Sequence, residues 1–220
     1  MKHVLIYADS LSWGIVPGTR GRFPFDKRWP GVMEDALVSR GLNVRVIEDC
    51  LNGRRTVWDD PFKPGRNGRL GLEQRIEIHS PLALVILMLG TNDFQSIHGN
   101  NAWLSAQGIA SLVEGIRKAP IEPGMPMPPI LIVAPPLLHE PRGAMAQKFA
   151  GGDGKCAGLV DAYRQVAESL NCGFFDANTV TTSSRVDGVH LDEDQHSALG
   201  VAIADAVQVI LSGPSPGISV

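Results

Sequence analysis

Leu82-Ala83-Leu84-Val85-Ile86-Leu87-Met88-Leu89 runs without a polar side chain and stops at Gly90-Thr91-Asn92-Asp93. A strand with one face in water alternates apolar and polar residues. A run that stays apolar throughout is a strand covered on both faces, the usual condition in a parallel sheet. Runs of similar character recur at His3–Tyr7, Val44–Glu48, Ile130–Ala134 and Gly173–Phe175. Helical spacing of apolar residues separates them. Pro30–Arg40 has proline in its first turn and glycine just past its end. Ala102–Lys118, Leu159–Leu170 and Gln195–Leu211 carry apolar residues three and four apart. Strand and helix in alternation predict an α/β three-layer sandwich, a five-stranded parallel sheet with helices on both faces.

The length of 220 residues suits one domain with a substantial core, expected over 1–211, followed by a Pro/Gly/Ser-rich tail over 212–220. The net charge of −3 offers no basic footprint, so nucleic acid is not an expected partner. No apolar run reaches the roughly 20 residues that span a bilayer, so a membrane is not an expected partner either. The run after Met1 is shorter than the ~7–15 residues of a signal-peptide core. Cys50, Cys156 and Cys172 are odd in number and irregularly spaced, which reads as packing thiols in a cytoplasmic protein.

Two long stretches break the rhythm. Gly14–Trp29 and Gly53–Gly71 are rich in Gly, Pro and Arg and show no periodicity. Loops beyond about 12–15 residues in a compact domain are usually functional or interfacial.

In an open parallel sheet, ligands bind beyond the carboxyl ends of the strands. Ser10 follows the first strand, Gly53 the second and Asn92 the third. Ser10 can act as a hydroxyl nucleophile, although Asp9 and Ser10 are also common helix caps. Gly53 offers a backbone N–H with no side chain in the way, and Asn92 a side-chain amide; both suit a developing oxyanion, and both also suit turns. Near the other end, Asp187-Gly188-Val189-His190 places a carboxylate where it can orient an imidazole. The alternative for this region is a metal site, because Asp187, His190, Asp192, Asp194 and His196 crowd ten residues. No His or Cys pairing with zinc spacing supports it, and no metal or cofactor is expected. Gly213-Pro214-Ser215-Pro216-Gly217 matches the nucleophile-elbow pattern G-x-S-x-G. It follows a helix, and Pro216 lacks the N–H an elbow needs there, so Ser215 is not a nucleophile. A non-catalytic protein gripping a small anion through Ser10 and Asn92 would leave Asp187 and His190 without a role, and no phosphate loop is present.

Together the four blocks resemble the SGNH hydrolases, also called GDSL esterases and lipases. Ala8-Asp9-Ser10-Leu11 is similar to the first block, Gly53 to the second, Gly90-Thr91-Asn92-Asp93 to the third and Asp187-Gly188-Val189-His190 to the last. Asp9-Ser10-Leu11-Ser12-Trp13-Gly14, Arg28-Trp29-Pro30-Gly31-Val32, Met88-Leu89-Gly90-Thr91-Asn92-Asp93 and Val133-Ala134-Pro135-Pro136 resemble the bacterial arylesterase/acyltransferase branch. The resemblance implies a flavodoxin-like fold and a serine esterase for small carboxylic esters, with acyl transfer or perhydrolysis as further activities. Carbohydrate O-deacetylation is an alternative within the same family. It also implies Ser10, His190 and Asp187 as a triad, and an oxyanion hole of Ser10, Gly53 and Asn92. A homo-oligomer whose long loops shape the pocket follows from the branch. Trp13, Ile15, Phe94 and Phe149 are the expected substrate contacts, with core packing as the alternative. The family's first block opens with glycine where this chain has Ala8; alanine is strained there only if φ is positive.

Overall fold

The computed structural model of the chain describes residues 1–213. Its five strands are β1 (Lys2–Ala8), β2 (Val44–Cys50), β3 (Leu84–Met88), β4 (Ile130–Ala134) and β5 (Gly173–Asp176). All pair in parallel, in the order β2-β1-β3-β4-β5. The helices, in chain order, are α1 (Ser10–Trp13), α2 (Trp29–Ser39), α3 (Leu72–His79), α4 (Ala102–Arg117), α5 (Ala144–Lys148), α6 (Gly152–Lys155), α7 (Leu159–Ser169) and α8 (Glu193–Ser212). No helix among the described residues is long and apolar enough to cross a membrane.

The strands send alternate side chains to opposite faces, as a pleated backbone must. From β1, Val4, Ile6 and Ala8 enter one core with Met33 and Leu37 of α2 and Leu199, Ile203 and Val207 of α8. Leu5 and Tyr7 enter the other, with Leu72 and Ile76 of α3, Ile109 and Val113 of α4 and Tyr163 of α7. Every residue of β3 and of β4 is buried, which is why their sequences show no alternation.

The strand order reverses direction between β1 and β3, and a crevice opens at the carboxyl ends where it does so. Ala8 pairs with Cys50 of β2 and with Met88 of β3, so the loops after all three strands leave the sheet at one level. This register brings the residues after β1, β2 and β3 together.

The expected five strands and four longer helices are present, with ends displaced by a few residues. The helix α3 is a finding of the structure: only Leu72 and Ile76 of its eight residues are buried, too few to signal a helix next to an aperiodic loop. Ala8 is extended sheet backbone; among the described residues positive φ outside glycine is confined to Glu140 and Asn171, so Ala8 is unstrained. Of the tail expected over 212–220, Ser212 is the last residue of α8 and Gly213 its C-cap; residues 214–220, Ser215 among them, lie outside the described residues.

Candidate active site

The chain turns from β1 into α1 at Asp9, an extended N-cap whose Oδ1 accepts from the Leu11 N–H at 2.9 Å. The cap sets Ser10 at the start of the helix, beyond the sheet edge. Its Oγ lies 3.2 Å from Nε2 of His190. Ser12, one turn position away, is occupied otherwise: its Oγ accepts from the Trp29 indole N–H at 3.1 Å.

Asp187 and His190 sit in the tight loop that leads into α8. The Asp187 carboxylate takes the His190 Nδ1 at 2.7 Å on Oδ2, and the N–H groups of Val189 and His190 at 3.0 and 2.9 Å on Oδ1. Burial works to raise this carboxyl, but the His190 hydrogen bond, the His190 charge and the two N–H groups outweigh it and hold it down at about 2. The loop itself is riveted by Ser184, whose N–H donates to the His190 carbonyl at 2.7 Å and whose Oγ donates to Asp192 at 2.9 Å. Asp192 caps α8 in a capping box with Gln195. Gly188 is at φ +74°, and a Cβ there would lie 2.4 Å from the His139 carbonyl oxygen, so the turn needs glycine.

Across the crevice, Gly53 and Asn92 face the same space as Ser10. The N–H groups of Ser10 and Gly53 carry no internal hydrogen bond among the described residues. The Asn92 amide nitrogen is 3.0 Å from Asp9 Oδ2 and 3.2 Å from the Arg54 carbonyl, and its Oδ1 accepts from Gln95 at 2.9 Å. Burial pushes the fully enclosed Asp9 carboxyl up to about 6, against the Leu11 N–H, the His190 charge, the Asn92 amide and Arg54.

A buried polar network ties these loops to one another. Asp93 accepts from the Thr56 N–H at 3.0 Å, the Thr56 hydroxyl at 2.8 Å and the Ser105 hydroxyl at 2.7 Å. Ser105 in turn meets the Tyr163 hydroxyl at 2.7 Å, which donates to the Leu89 carbonyl at 3.0 Å. Burial pushes Asp93 up to about 6, opposed by those donors and by Arg55. Arg54 reaches back to the Ala8 carbonyl at 3.0 Å and pairs with Asp49 at 2.6 Å, while its guanidinium lies over the Tyr7 ring. Arg55, wholly buried, bonds Gln95 at 2.8 Å and Asp60 at 3.1 Å. Sequence reasoning passed over Arg54, Arg55, Gln95 and Ser105. The one available signal was the unusual placement of two arginines directly after the candidate oxyanion glycine.

Ser10, Gly53, Asn92, Asp187 and His190 line one cavity of about 320 Å³. Of the four expected substrate contacts, Ile15 and Phe149 line it and Trp13 and Phe94 do not. Trp13 ends α1 facing the loop, where the Arg22 guanidinium stacks 4.6 Å from its ring. Phe94 is 1% exposed and packs in the core between the 91–95 turn and α6, so it fits the packing alternative. The cavity wall instead draws on Met145 from α5 and on Val186 and Val189. The aperiodic loops contribute as well: Ile15 pairs with Arg22 in a small hairpin, and Arg55 with Asn67, and each loop presents a basic residue to the cavity mouth.

The acidic and imidazole groups of the last block do not converge. Asp192 is taken up by the α8 cap, and the buried His196 ring accepts from the Trp29 backbone N–H at 3.3 Å. Burial, then the charges of Arg28 and His190, press His196 down to about 4. Among the described residues no group of three or more His, Cys, Asp or Glu side chains is arranged to hold a metal ion.

Residues 9–198 match the model of the GDSL-like lipase/acylhydrolase family. A carbohydrate acetylesterase family member from Sinorhizobium meliloti is 40% identical, with a TM-score of 0.90 over 96% of this chain and 99% of that one. An M. smegmatis aryl esterase, solved with an inhibitor, is 35% identical, with a TM-score of 0.90 over 96% and 100%. An arylesterase from Vibrio mimicus is 34% identical over 90 residues; the match spans 41% of this chain and 37% of that protein's length. The blocks after β1, β2 and β3 and before α8 thus fall inside the matched region, and the chain belongs to the GDSL-like lipase/acylhydrolase family, a membership that carries hydrolysis of carboxylic esters as its reaction class.

Proposed function

We propose that the chain is a serine esterase that cleaves small carboxylic esters through an acyl-enzyme on Ser10. One observation carries this reading: the unbroken line Ser10 Oγ, His190 Nε2, His190 Nδ1, Asp187 Oδ2, at 3.2 and 2.7 Å, opens into a cavity faced by the Gly53 N–H and Asn92 amide. His190 takes the Ser10 proton as Oγ attacks the carbonyl carbon. Asp187, ionised at all ordinary pH, fixes the ring with Nε2 free to accept and stabilises the imidazolium that results.

The carbonyl oxygen gains a negative charge within reach of the Ser10 and Gly53 N–H groups. Asn92 has two amide protons. One stays on Asp9; the other, 3.2 Å from the Arg54 carbonyl, is the one an oxyanion takes. Each such donor is worth about 3–4 kcal/mol of barrier. His190 then protonates the departing alkoxide; water or a second alcohol attacks the acyl carbon and gives up its proton to His190, which returns it to Ser10 Oγ as the acyl–Oγ bond breaks, releasing the acid or a new ester. No step requires a metal or organic cofactor.

The likeness to carbohydrate acetylesterase structures favours acetyl esters of sugars as a second substrate class for the same machinery. Assembly into more than one copy belongs to the same proposal, with sedimentation as its measurement. The test of the chemistry is a series of p-nitrophenyl esters of rising chain length, with and without an added alcohol. Ser10→Ala should abolish turnover, and an organophosphate should label Ser10. Turnover near wild type in Ser10→Ala removes the proposal.

A further inference from the structure

The cavity has an apolar floor and a cationic mouth. Its apolar lining is the buried Phe149 and Val189 with the half-buried Ile15 and Met145, while the exposed Arg20, Lys63, Arg142 and Lys148 bring four positive side chains to the lining at the solvent side. Among the described residues the only acidic one in the lining is Asp187, which His190 already holds at 2.7 Å. This positive mouth belongs to a chain whose net charge is −3, so it is not a sample of an overall basic surface.

The mouth is not neutralised from within. Arg142 is answered by Glu140 at 2.7 Å. Among the described residues no carboxylate lies within ion-pair distance of Arg20, Lys63 or Lys148. Asp60, whose charge both lysines feel, is committed to the Arg55 guanidinium at 3.1 Å and to the N–H groups of Phe62 and Lys63 at 2.9 and 3.1 Å. Lys63 stands beside the oxyanion glycine: a Cβ built on Gly53 would lie 3.9 Å from its Nζ, which donates to the Asn52 carbonyl at 3.4 Å. Lys148 comes from a different element, the end of α5 next to Phe149. Burial and then the neighbouring cations lower both ammonium groups: Arg66 and Arg20 act on Lys63, and Lys63 acts on Lys148. The like charges are held together at some cost, which an anion between them relieves.

We infer that the ester this site is built to take carries its own negative charge away from the scissile bond, a carboxylate or similar small anionic group, read by Lys63 and Lys148 at the cavity mouth. The inference rests on the esterase reading above and names its substrate class. A cleft lined by one sign of charge also concentrates such a substrate and speeds its encounter.

Matched esters test it on either side of the scissile bond. 4-Acetoxybenzoate against its methyl ester places the charge on the leaving group. The mono-p-nitrophenyl ester of adipic acid against p-nitrophenyl hexanoate places it on the acyl chain. The readout is the ratio of kcat/KM for the anionic ester to that for the neutral one.

For at least one pair, Lys63→Met and Lys148→Met should each lower the ratio about three- to fivefold, the scale of one solvent-exposed ion pair. Together they should lower it about tenfold. Lys148→Arg should keep it and Lys148→Glu should lower it further than Lys148→Met. Salt of about 1 M should shrink the wild-type ratio toward that of the double variant, since the screening length there is ~3 Å. The side whose ratio responds identifies where the charge sits. Ratios that do not change with any lysine variant overturn the inference while Ser10-dependent hydrolysis of the neutral esters leaves the esterase reading standing. Absence of Ser10-dependent hydrolysis of every ester overturns both.

Discussion

Asp93→Asn separates what the buried carboxylate does for stability from what it does for the site. Asp93 is wholly buried and lifted to about 6, whereas an unfolded chain presents an aspartate near 3.9. Because the folded value is the higher one, the native state holds the proton more tightly. The stability this gives is complete below about 4 and is lost as pH rises through about 6. Roughly two pH units at ~1.4 kcal/mol each make the loss about 3 kcal/mol. Asparagine does not titrate, so the variant escapes that loss. At pH 4 the variant should be the less stable protein, since one of the three donors held by Asp93 meets an amide NH2 instead of an oxygen. By pH 7 the difference should have moved about 3 kcal/mol in the variant's favour. Asp9, raised to about 6, and His196, lowered to about 4, titrate over the same window with opposite signs, but in both proteins, so they cancel in the difference. Urea unfolding of the two proteins at half-unit steps from pH 4 to 7 gives the difference directly. Activity should follow a separate course: at pH 7 the variant should lose kcat with little change in KM, because Thr56 carries the loop that aims Gly53. A stability difference that is flat from pH 4 to 7 refutes the assignment of Asp93 as a group that the fold keeps partly protonated.

Other outcomes follow from the same geometry. Gly90 is at φ +127°, and a Cβ there would lie 2.2 Å from the Tyr163 hydroxyl oxygen. Gly90→Ala should cost about 2–5 kcal/mol from backbone strain and overpacking together, and adding Tyr163→Phe should recover part of it in thermal melts. Trp13→Ala should leave the acyl-chain preference of the p-nitrophenyl series as it is, whereas Phe149→Ala should shift it toward longer chains at a cost of about 3–5 kcal/mol in stability.

The parts of the molecule that could be read in advance are those whose signal is local. Val4 to Ala8, Leu84 to Met88 and Ile130 to Ala134 announce doubly covered strands because both their faces are apolar. The positions of Ser10, Gly53 and Asn92 follow from the rule that loops at strand carboxyl ends share one crevice, whereas His190 is legible only through its spacing from Asp187 and the likeness of that block to a known family. The contacts that fix those loops are not local. Asp93 reaches Thr56 across 37 residues and Arg55 reaches Gln95 across 40, and no periodicity encodes such pairs. The helices α5 and α6 are four or five residues long and rich in small side chains, below the length at which a helical stripe can be seen. Trp13 and Phe94 show the limit most plainly. Each neighbours a site residue in the chain, but one side chain turns to Arg22 and the other into the core, a direction that depends on the turn each residue occupies. The cationic mouth is not legible in the sequence because Arg20 and Lys63 come from two separate irregular loops and Lys148 from the end of the short helix α5.

The short stretch from Asp187 to Asp192 unites two partners of the proposed proton relay and anchors them at the first turn of α8. The proposed nucleophile, Ser10, belongs to a different part of the scaffold, beyond β1. Among the described residues only two hydrogen bonds tie those halves together at the site, Ser10 to His190 at 3.2 Å and the Gly18 N–H to Asp187 at 3.3 Å, while the carboxylate and its ring are held to each other at 2.7 Å as a single cassette. On the proposed mechanism, the orientation of the base therefore does not depend on the placement of the hydroxyl it serves.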